Sequence, residues 1–151
     1  MYLNTKPSKE RILEFLLKID KDFPVPISEK QDLSMFAEKL YNKATICAEL
    51  DGEMIVAMVA GYTENTINNT GYISIVGTLK EWRGRGLAPQ LISDFMQIAR
   101  ETGEKAVHVY TVSSNTNAFT MYRNLGFVNY KCINEERPND LHLIYYFERE
   151  L

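Results

Sequence analysis

The chain has 151 residues, a length that fits one domain, and we treat residues 1–151 as a single domain. Its 17 Lys and Arg residues against 20 Asp and Glu residues give a net charge of −3, so no basic field is present to hold nucleic acid or an anionic membrane. Hydrophobic residues make up 45% of the chain and charged residues 25%, which is typical of a soluble globular protein.

Two helices are predicted in the first third of the chain. Ser8 can cap the first helix, whose apolar residues recur at helical spacing: Ile12, Phe15, Leu16 and Ile19. Pro24 and Pro26 then interrupt the helical pattern, because each proline removes a backbone donor and restricts the residue before it. The second helix begins near Asp32 and repeats the spacing with Leu33, Phe36, Ala37, Leu40 and Tyr41.

The pattern changes to that of strands after the second helix. Asp51-Gly52 suits a two-residue hairpin turn between the first two strands. The predicted elements are strands over 45–50, 53–62 and 72–79, a long helix from Leu87 that ends at Gly103, a strand over 106–112, a helix over 115–125, and strands over 127–134 and 141–147. The order α-α-β-β-β-α-β-α-β-β predicts an α/β fold, with a mixed sheet and helices on both of its faces.

The two cysteines and the start of the chain indicate where the protein works. Cys47 and Cys132 share no metal-ligand spacing and lie in apolar, strand-like stretches, so each is expected to be buried and reduced. Lys6, Lys9 and Glu10 interrupt the region where a signal peptide would lie, and no apolar run approaches the ~20 residues that span a bilayer. We therefore predict a cytoplasmic protein with neither nucleic acid nor a membrane as partner.

The loop before the long helix carries the most informative sequence, Trp82-Arg83-Gly84-Arg85-Gly86-Leu87-Ala88. Glycines let the backbone approach a ligand closely, and the first turn of the following helix offers N–H donors and a positive dipole end to a pyrophosphate. Arg83 and Arg85 add positive charge that can hold phosphate oxygens. On its own, this loop is explained as readily by a basic turn that only begins a helix.

A second motif follows about thirty residues later, formed by Asn115, Ala118, Tyr122 and Leu125-Gly126-Phe127. Asn115 can cap a helix, and Tyr122 and Ala118 lie on one face of it at i, i+4 spacing. Structural roles alone would explain these residues. A chemical role is also open, because the phenol of Tyr122 would lie near the ends of two neighbouring strands.

Together the two motifs resemble those of the GNAT superfamily of N-acetyltransferases. The cofactor loop of that family has the form Arg/Gln-x-x-Gly-x-Gly/Ala, which Arg83, Gly86 and Ala88 match. Its second signature, Asn-x-x-Ala-x-x-x-Tyr-x-x-Leu-Gly-Phe, is matched from Asn115 to Phe127. The resemblance covers roughly residues 45–147 and implies the GNAT fold, acetyl-CoA as cosubstrate and no metal. The family usually begins with a full strand, whereas only residues 1–4 precede the first helix here, so that strand is expected to be short or missing.

The resemblance also implies roles for individual residues. The pyrophosphate would be held by the backbone of Arg83, Gly84, Arg85, Gly86, Leu87 and Ala88. The strand before this loop is expected to splay from its neighbour near 77–79, so that the pantetheine arm enters the gap and N–H groups of Thr78 and Leu79 reach the cofactor. Tyr122 resembles the general acid that contacts the cofactor and protonates its sulfur. Asn115 is either a second cofactor contact or only a helix cap.

The resemblance does not specify the general base. The strand over 72–78 contains no Asp, Glu or His. His108, on the next strand, shares a face with Tyr110 and has a suitable unperturbed pKa near ~6.5, so we name it as the catalytic candidate. A histidine that is only hydrogen-bonded beneath a helix is the alternative. Glu49, Glu64 and a chain of waters to bulk solvent also remain open.

Three functions are open on this sequence: acetylation of a small polar amine, acetylation of a protein N-terminus or lysine, and non-enzymatic binding of acyl-CoA. The intact Tyr122 favours the two enzymes. We predict a small, neutral, hydroxyl-rich amine such as an amino sugar as the acceptor, because the loop 63–70 is rich in amides and hydroxyls and the segment 23–28 offers an apolar wall. Polyamines or basic protein tails would be matched by several carboxylates. The oligomeric state is open between a monomer and a homodimer.

Overall fold

The computed structural model describes residues 6–130 and 140–147. Within these residues the helices are α1 (Lys9–Ile19), α2 (Leu33–Lys43), α3 (Leu87–Glu101) and α4 (Thr116–Asn124). The strands are β1 (Thr45–Asp51), β2 (Met54–Tyr62), β3 (Thr70–Thr78), β4 (Ala106–Val112), β5 (Val128–Asn129) and β6 (Asp140–Tyr146). Short 3-10 turns lie at Asp20–Asp22, Ile27–Glu29, Ile67–Asn69 and Lys80–Trp82. The order of helices and strands is the one predicted from the sequence.

The strands form one mixed sheet in the order β1-β2-β3-β4-β6-β5. The β3–β4 pair is parallel and the other neighbouring pairs are antiparallel. Apolar residues of α1 and α2 pack on one face of the sheet, and those of α3 and α4 pack on the other. The predicted α/β fold, a mixed sheet with helices on both faces, is confirmed.

The first two helices begin where the sequence predicts, and each has a side-chain cap. The Ser8 hydroxyl accepts a hydrogen bond from the Arg11 N–H at 3.2 Å, and the Asp32 carboxylate accepts one from the Met35 N–H at 2.9 Å. Each cap satisfies one of the backbone donors that a helix leaves without a partner at its N-terminus. The α1 stripe predicted from Ile12 to Ile19 is buried, as the helical spacing requires.

A β-bulge interrupts the middle of β3. Ala60 of β2 pairs with Ile75, but Gly61 pairs with Ile73, so Ser74 is the extra residue on β3. An extra residue reverses the alternation of side chains along a strand. Ile73 accordingly packs on the α3 side of the sheet and Ile75 on the α1 side.

The parallel pairing of β3 with β4 ends at the same place. The paired residues run from Thr70 opposite Ala106 to Ile73 opposite Val109, and the two strands diverge beyond that point. The prediction that the strands splay near 77–79 is therefore corrected. They separate from Ser74 onward, because the bulge turns the backbone of β3 away from β4.

Some sequence predictions concern segments outside the described residues: the stretch 1–4, Cys132, and the parts of the last two strands and their turn between 131 and 139. Cys47 is buried as predicted, and burial raises the pKa of its thiol to about 12. In the two described ranges, no helix combines the length and the apolar character needed to cross a membrane.

The bulge brings two backbones close together at Gly61. A Cβ on Gly61 would collide with the carbonyl oxygen of Tyr72 and lie 2.9 Å from Cζ of Phe95. A Cβ on Gly77 would lie 2.6 Å from the terminal methyl of Ile19, which is the end of a flexible side chain. A backbone carbonyl in a sheet cannot move away as a terminal methyl can, so the two glycines differ in how well they tolerate a side chain.

Gly61→Ala should therefore lower the free energy of unfolding by about 1–3 kcal/mol or more, the usual cost of overpacking a core. Gly77→Ala is the matched control and should cost less, since Ile19 can change rotamer. Urea denaturation followed by circular dichroism measures both. Equal losses for the two variants would contradict the close approach of β2 and β3 at the bulge.

Candidate functional site

A cleft of about 260 Å³ opens where β3 and β4 diverge. One wall is the bulged part of β3, and the other is the end of β4 together with one side of α4. Two of the predicted site residues, Asn115 and Tyr122, lie on the α4 wall. The segment that follows α1 closes the cleft with Phe23, Pro24, Val25 and Ile27.

The backbone of β3 presents hydrogen-bonding groups to the edge that β4 leaves. The Leu79 N–H donates to the Val56 carbonyl at 2.8 Å, and Thr78 lies opposite Ala57. Because the bonded residues alternate along an antiparallel pair, the N–H groups of Thr78 and Val76 face away from β2. The N–H group of Thr78 thus points toward the cleft, as its predicted role requires, whereas the N–H group of Leu79 is bonded to β2 and does not reach the cleft.

The N-terminus of α3 differs from those of the other helices. Its N-cap is Gly86, which has no side chain to accept from the first-turn N–H groups, whereas α1, α2 and α4 each have a side-chain cap. Gly84 and Gly86 adopt the left-handed conformation, with φ of 78° and 75°, and no atom lies within 4 Å of where a Cβ would stand on either. An open, uncapped helix N-terminus suits a phosphate group.

The two arginines of this loop contact protein groups. The Arg83 Nε–H donates to the Thr78 carbonyl at 3.2 Å, and its terminal nitrogen pairs with the Asp22 carboxylate at 2.6 Å. Arg85 donates to the Glu81 carbonyl at 3.1 Å and lies 4.3 Å from the centre of the Trp82 ring. Both side chains are exposed, and an exposed ion pair contributes only ~0–1 kcal/mol, so a phosphate can compete for either guanidinium.

Tyr122 is a buried phenol at the edge of the cleft. Its side chain is 4% exposed, and its ring packs edge-on against Phe127 with 5.3 Å between centroids. Burial raises the pKa of Tyr122 well above its usual value, with a smaller contribution from Tyr72. The phenol therefore stays protonated at neutral pH and can give a proton but not take one.

Asn115 has a structural role that needs no ligand. Its side-chain oxygen accepts from the Ala118 N–H at 3.2 Å and caps α4, while the residue also lines the cleft. Both interpretations made from the sequence are thus compatible with its position.

A second, wider pocket of about 850 Å³ lies between the end of α2, the loop after β2 and one face of β3 and β4. Its lining residues are Asn42, Lys43, Tyr62, Glu64, Asn65, Thr66, Ile67, Thr70, Tyr72, His108 and Tyr110. Tyr72 and Tyr110 line both the cleft and this pocket, with 6.3 Å between their ring centroids. The two spaces therefore meet at these two rings.

The candidates for the general base separate in the structure. His108 and Glu64 line the second pocket, whereas Glu49 is on β1 and lines neither space. His108 and Tyr110 share a face, as their spacing predicts. Nδ1 of His108 lies 2.8 Å from Nε2 of His142, a residue that the sequence reasoning did not single out.

The two segments predicted to form one acceptor site line different spaces. The segment 23–28 lines the cleft, and its shape is held by the Asp20 carboxylate, which accepts from the Ser28 N–H at 2.8 Å and its hydroxyl at 2.6 Å. The loop 63–70 lines the second pocket.

The asparagines of the loop 63–70 have a backbone role. Asn65, Asn68 and Asn69 are left-handed, with φ of 55°, 55° and 53°, a conformation that asparagine tolerates better than most residues. The Thr66 hydroxyl donates to the Glu104 carboxylate and connects the loop to the segment between α3 and β4. The composition that suggested sugar recognition is thus explained in part by the path of the chain.

Metal ligation has no visible basis in the part of the chain that the structure describes. Among these described residues, no group of three or more His, Cys, Asp or Glu side chains is placed so that it could hold a metal ion.

Known proteins share both this fold and this sequence pattern. Residues 13–127 match the family model described as the acetyltransferase (GNAT) family. N-alpha-acetyltransferase 30 of Schizosaccharomyces pombe is 33% identical over 61 residues, which cover 40% of this chain and 41% of that protein. The chain thus matches about two fifths of the length of the curated relatives.

Two solved structures illustrate the similarity of fold. A GNAT acetyltransferase of Staphylococcus aureus superposes with a TM-score of 0.75 at 17% identity, over 98% of each chain. An acetyltransferase of Salmonella typhimurium, solved with its cofactor acetyl-CoA, superposes with a TM-score of 0.65 at 13% identity, over 95% of this chain and 92% of that one. Since the family model covers most of the sequence and the fold agrees, the chain belongs to the acetyltransferase (GNAT) family.

Proposed function

We propose that the protein is an N-acetyltransferase that transfers the acetyl group of acetyl-CoA to a primary amine. The observation that carries this proposal is the divergence of β3 and β4 at Ser74, beside the uncapped N-terminus of α3. A thioester arm in the cleft would meet backbone donors of β3 on one side and the phenol of Tyr122 on the other. The amine would approach from the second pocket, past Tyr72 and Tyr110.

The cofactor site is assigned to the loop before α3. First-turn N–H groups from Leu87 onward and the dipole of α3 bind the pyrophosphate, and Arg83 or Arg85 can add a charged hydrogen bond. The N–H groups of Val76 and Thr78 hold the pantetheine arm as if it were a neighbouring strand. Acetyl-CoA, when bound, supplies an activated acyl group.

The side chains divide the proton transfers between them. His108 takes a proton from the attacking amine, whose nitrogen forms the new bond to the acyl carbon as the carbon–sulfur bond breaks. Tyr122 gives its proton to the departing sulfur and regains one from water, and His108 releases its proton to water. Because burial keeps the phenol protonated, Tyr122 suits the acid role and His108 the base role.

For the acceptor we propose the α-amine of a peptide or protein N-terminus. The curated relatives are named N-alpha-acetyltransferases. Tyr62 lines the second pocket, and its buried hydroxyl has no hydrogen-bond partner among the described residues, so it can donate to a peptide carbonyl once a small movement of the ring exposes it. An amino sugar remains the second candidate, because side-chain amides and hydroxyls of Asn42, Asn65 and Thr70 line the same pocket.

Acetyl-CoA should stabilise the fold through the loop before α3. At 100 times its dissociation constant the ligand should add about 2.7 kcal/mol, measured as a rise in Tm. Gly86→Glu should remove this rise, because it places a carboxylate where the pyrophosphate binds. Gly52→Glu is the matched control: Gly52 is also left-handed and open beyond its Cα, but lies in the β1–β2 turn. An unchanged Tm at millimolar acetyl-CoA would refute the cofactor assignment.

Tyr122→Phe should lower kcat by about 10²-fold or more, the usual contribution of a proton donor, while acetyl-CoA affinity and Tm change little. Tyr145→Phe is the control, since Tyr145 packs against Phe127 outside the cleft. A pKa raised above the ordinary value near ~10 means that the wild-type acid stays protonated, so kcat should not fall on the alkaline side below about pH 10. Unchanged turnover in Tyr122→Phe, with chemistry rate-limiting, would make this residue a core aromatic only.

A panel of acceptors tests the peptide assignment. Peptides with free N-termini should exceed amino sugars in kcat/KM by about tenfold or more, a difference of about 1.4 kcal/mol. Tyr62→Phe should raise the KM for the peptide without changing acetyl-CoA binding, because it removes one hydroxyl from the second pocket. A preference for amino sugars would make an amino sugar, and not a peptide, the acceptor bound in the second pocket, and would leave the acetyltransferase proposal intact.

A further inference from the structure

Five aromatic rings form a continuous cluster beside the second pocket: Tyr72, His108, Tyr110, Tyr130 and His142. We call these residues the ring cluster. Tyr110 and His142 lie directly opposite each other on β4 and β6 and stack with 4.2 Å between centroids and an interplanar angle of 17°. Tyr130 packs on the same histidine at 4.8 Å, and Tyr72 packs on His108 at 4.9 Å. Both imidazoles are therefore held in place by neighbouring rings.

The bond between the two histidines restricts how each carries its protons. Nδ1 of His108 and Nε2 of His142 are 2.8 Å apart, so one nitrogen donates and the other accepts. If Nδ1 of His108 donates, its Nε2 keeps a lone pair. If it accepts, Nε2 carries the hydrogen and cannot take a proton from an amine. The direction of this bond thus decides whether His108 can be a base.

We propose that His142 is a positioning residue that holds His108 in the Nδ1–H tautomer. Its Nε2 accepts the Nδ1–H of His108, so that Nε2 of His108 takes the proton from the acceptor amine. The same bond stabilises the imidazolium that forms, as an acceptor behind a catalytic histidine does in general. The catalytic role of this pair rests on the proposed acetyl transfer, whereas the tautomer of His108 depends only on the hydrogen bond between the two histidines.

The surroundings of the pair combine aromatic rings with titratable side chains. The rings of Tyr72 on β3, Tyr110 on β4 and Tyr130 after β5 pack against the pair. Asp140 is two residues before His142 on β6, and Glu64 and Lys43 line the second pocket together with His108. His108 and His142 are half-buried, so the proton can leave to water after each turnover.

Two substitutions of His142 separate the acceptor from the ring. His142→Phe keeps an aromatic ring to stack on Tyr110 but offers no acceptor to His108. His142→Gln loses the ring but places an amide oxygen within reach of the same Nδ1. We expect kcat to fall roughly tenfold or more in the Phe variant. We also expect the acid limb of its pH profile to move to lower pH, since its imidazolium has lost an acceptor. The Gln variant should retain more activity than the Phe variant at every pH.

Nitrogen-15 NMR of the imidazole rings tests the tautomer without any assay of activity. The chain has 2 His residues, so a histidine-labelled sample shows two rings, and His142→Phe assigns them. We expect His108 to be the Nδ1–H tautomer in the wild type and to gain the Nε2–H form in His142→Phe. An Nε2–H tautomer of His108 in the wild type would overturn the proposal, as would an acid limb that does not move in the Phe variant. An inactive protein with the expected tautomer would instead count against acetyl transfer.

Discussion

The separation of β3 from β4 leaves part of β3 with a neighbouring strand on one side only, and this separation begins at a single residue. Ser74 is the extra residue of β3, and beyond it β3 stays paired with β2 but no longer with β4. The N–H groups of Val76 and Thr78 thereby face the edge that β4 leaves. The cleft, the approach of Gly61 to the Tyr72 carbonyl and the change of face between Ile73 and Ile75 all follow from this bulge.

The bulge also explains why two binding spaces share one wall. Tyr72 lies one residue before the last β3–β4 pair, Ile73–Val109, and Tyr110 lies one residue after it. Both tyrosines therefore stand where the strands separate, and both line the cleft and the second pocket. A thioester carbonyl and an amine can then meet without either ligand crossing the sheet. Transfer between two bound groups depends on such positioning, because it makes the reaction effectively unimolecular. In the proposed reaction, Tyr122 acts from α4 and His108 from β4.

Most of the fold could be predicted from local sequence, and most of the site could not. Periodicity, with a capping residue such as Ser8, is sufficient to predict the helices, because those signals act within a few residues. The bulge at Ser74 leaves no mark on an apolar strand, since its effect depends on the register with β2. The role proposed for His142 depends on the pairing of β4 with β6, which brings together two histidines that are 34 residues apart in the sequence. The motifs correctly indicate the family. The amide-rich composition of the loop 63–70 suggests sugar recognition, but three of its asparagines also serve the backbone by adopting the left-handed conformation.

The two halves of the sheet are joined by a short stretch of β3–β4 pairing, which we call the seam, and its length has a mechanical consequence. β1, β2 and β3 form one leaf, and β4, β6 and β5 form the other; between β3 and β4, four residue pairs join the leaves, from Thr70–Ala106 to Ile73–Val109. A seam of that length resists rotation about its own axis less than full-length pairing would. The core on the α3 face therefore carries much of the connection between the leaves, since apolar residues of α3 pack with side chains from β1, β2 and β3 of one leaf and from β4 and β6 of the other. Any widening of the cleft must accordingly be accommodated by the packing beneath α3.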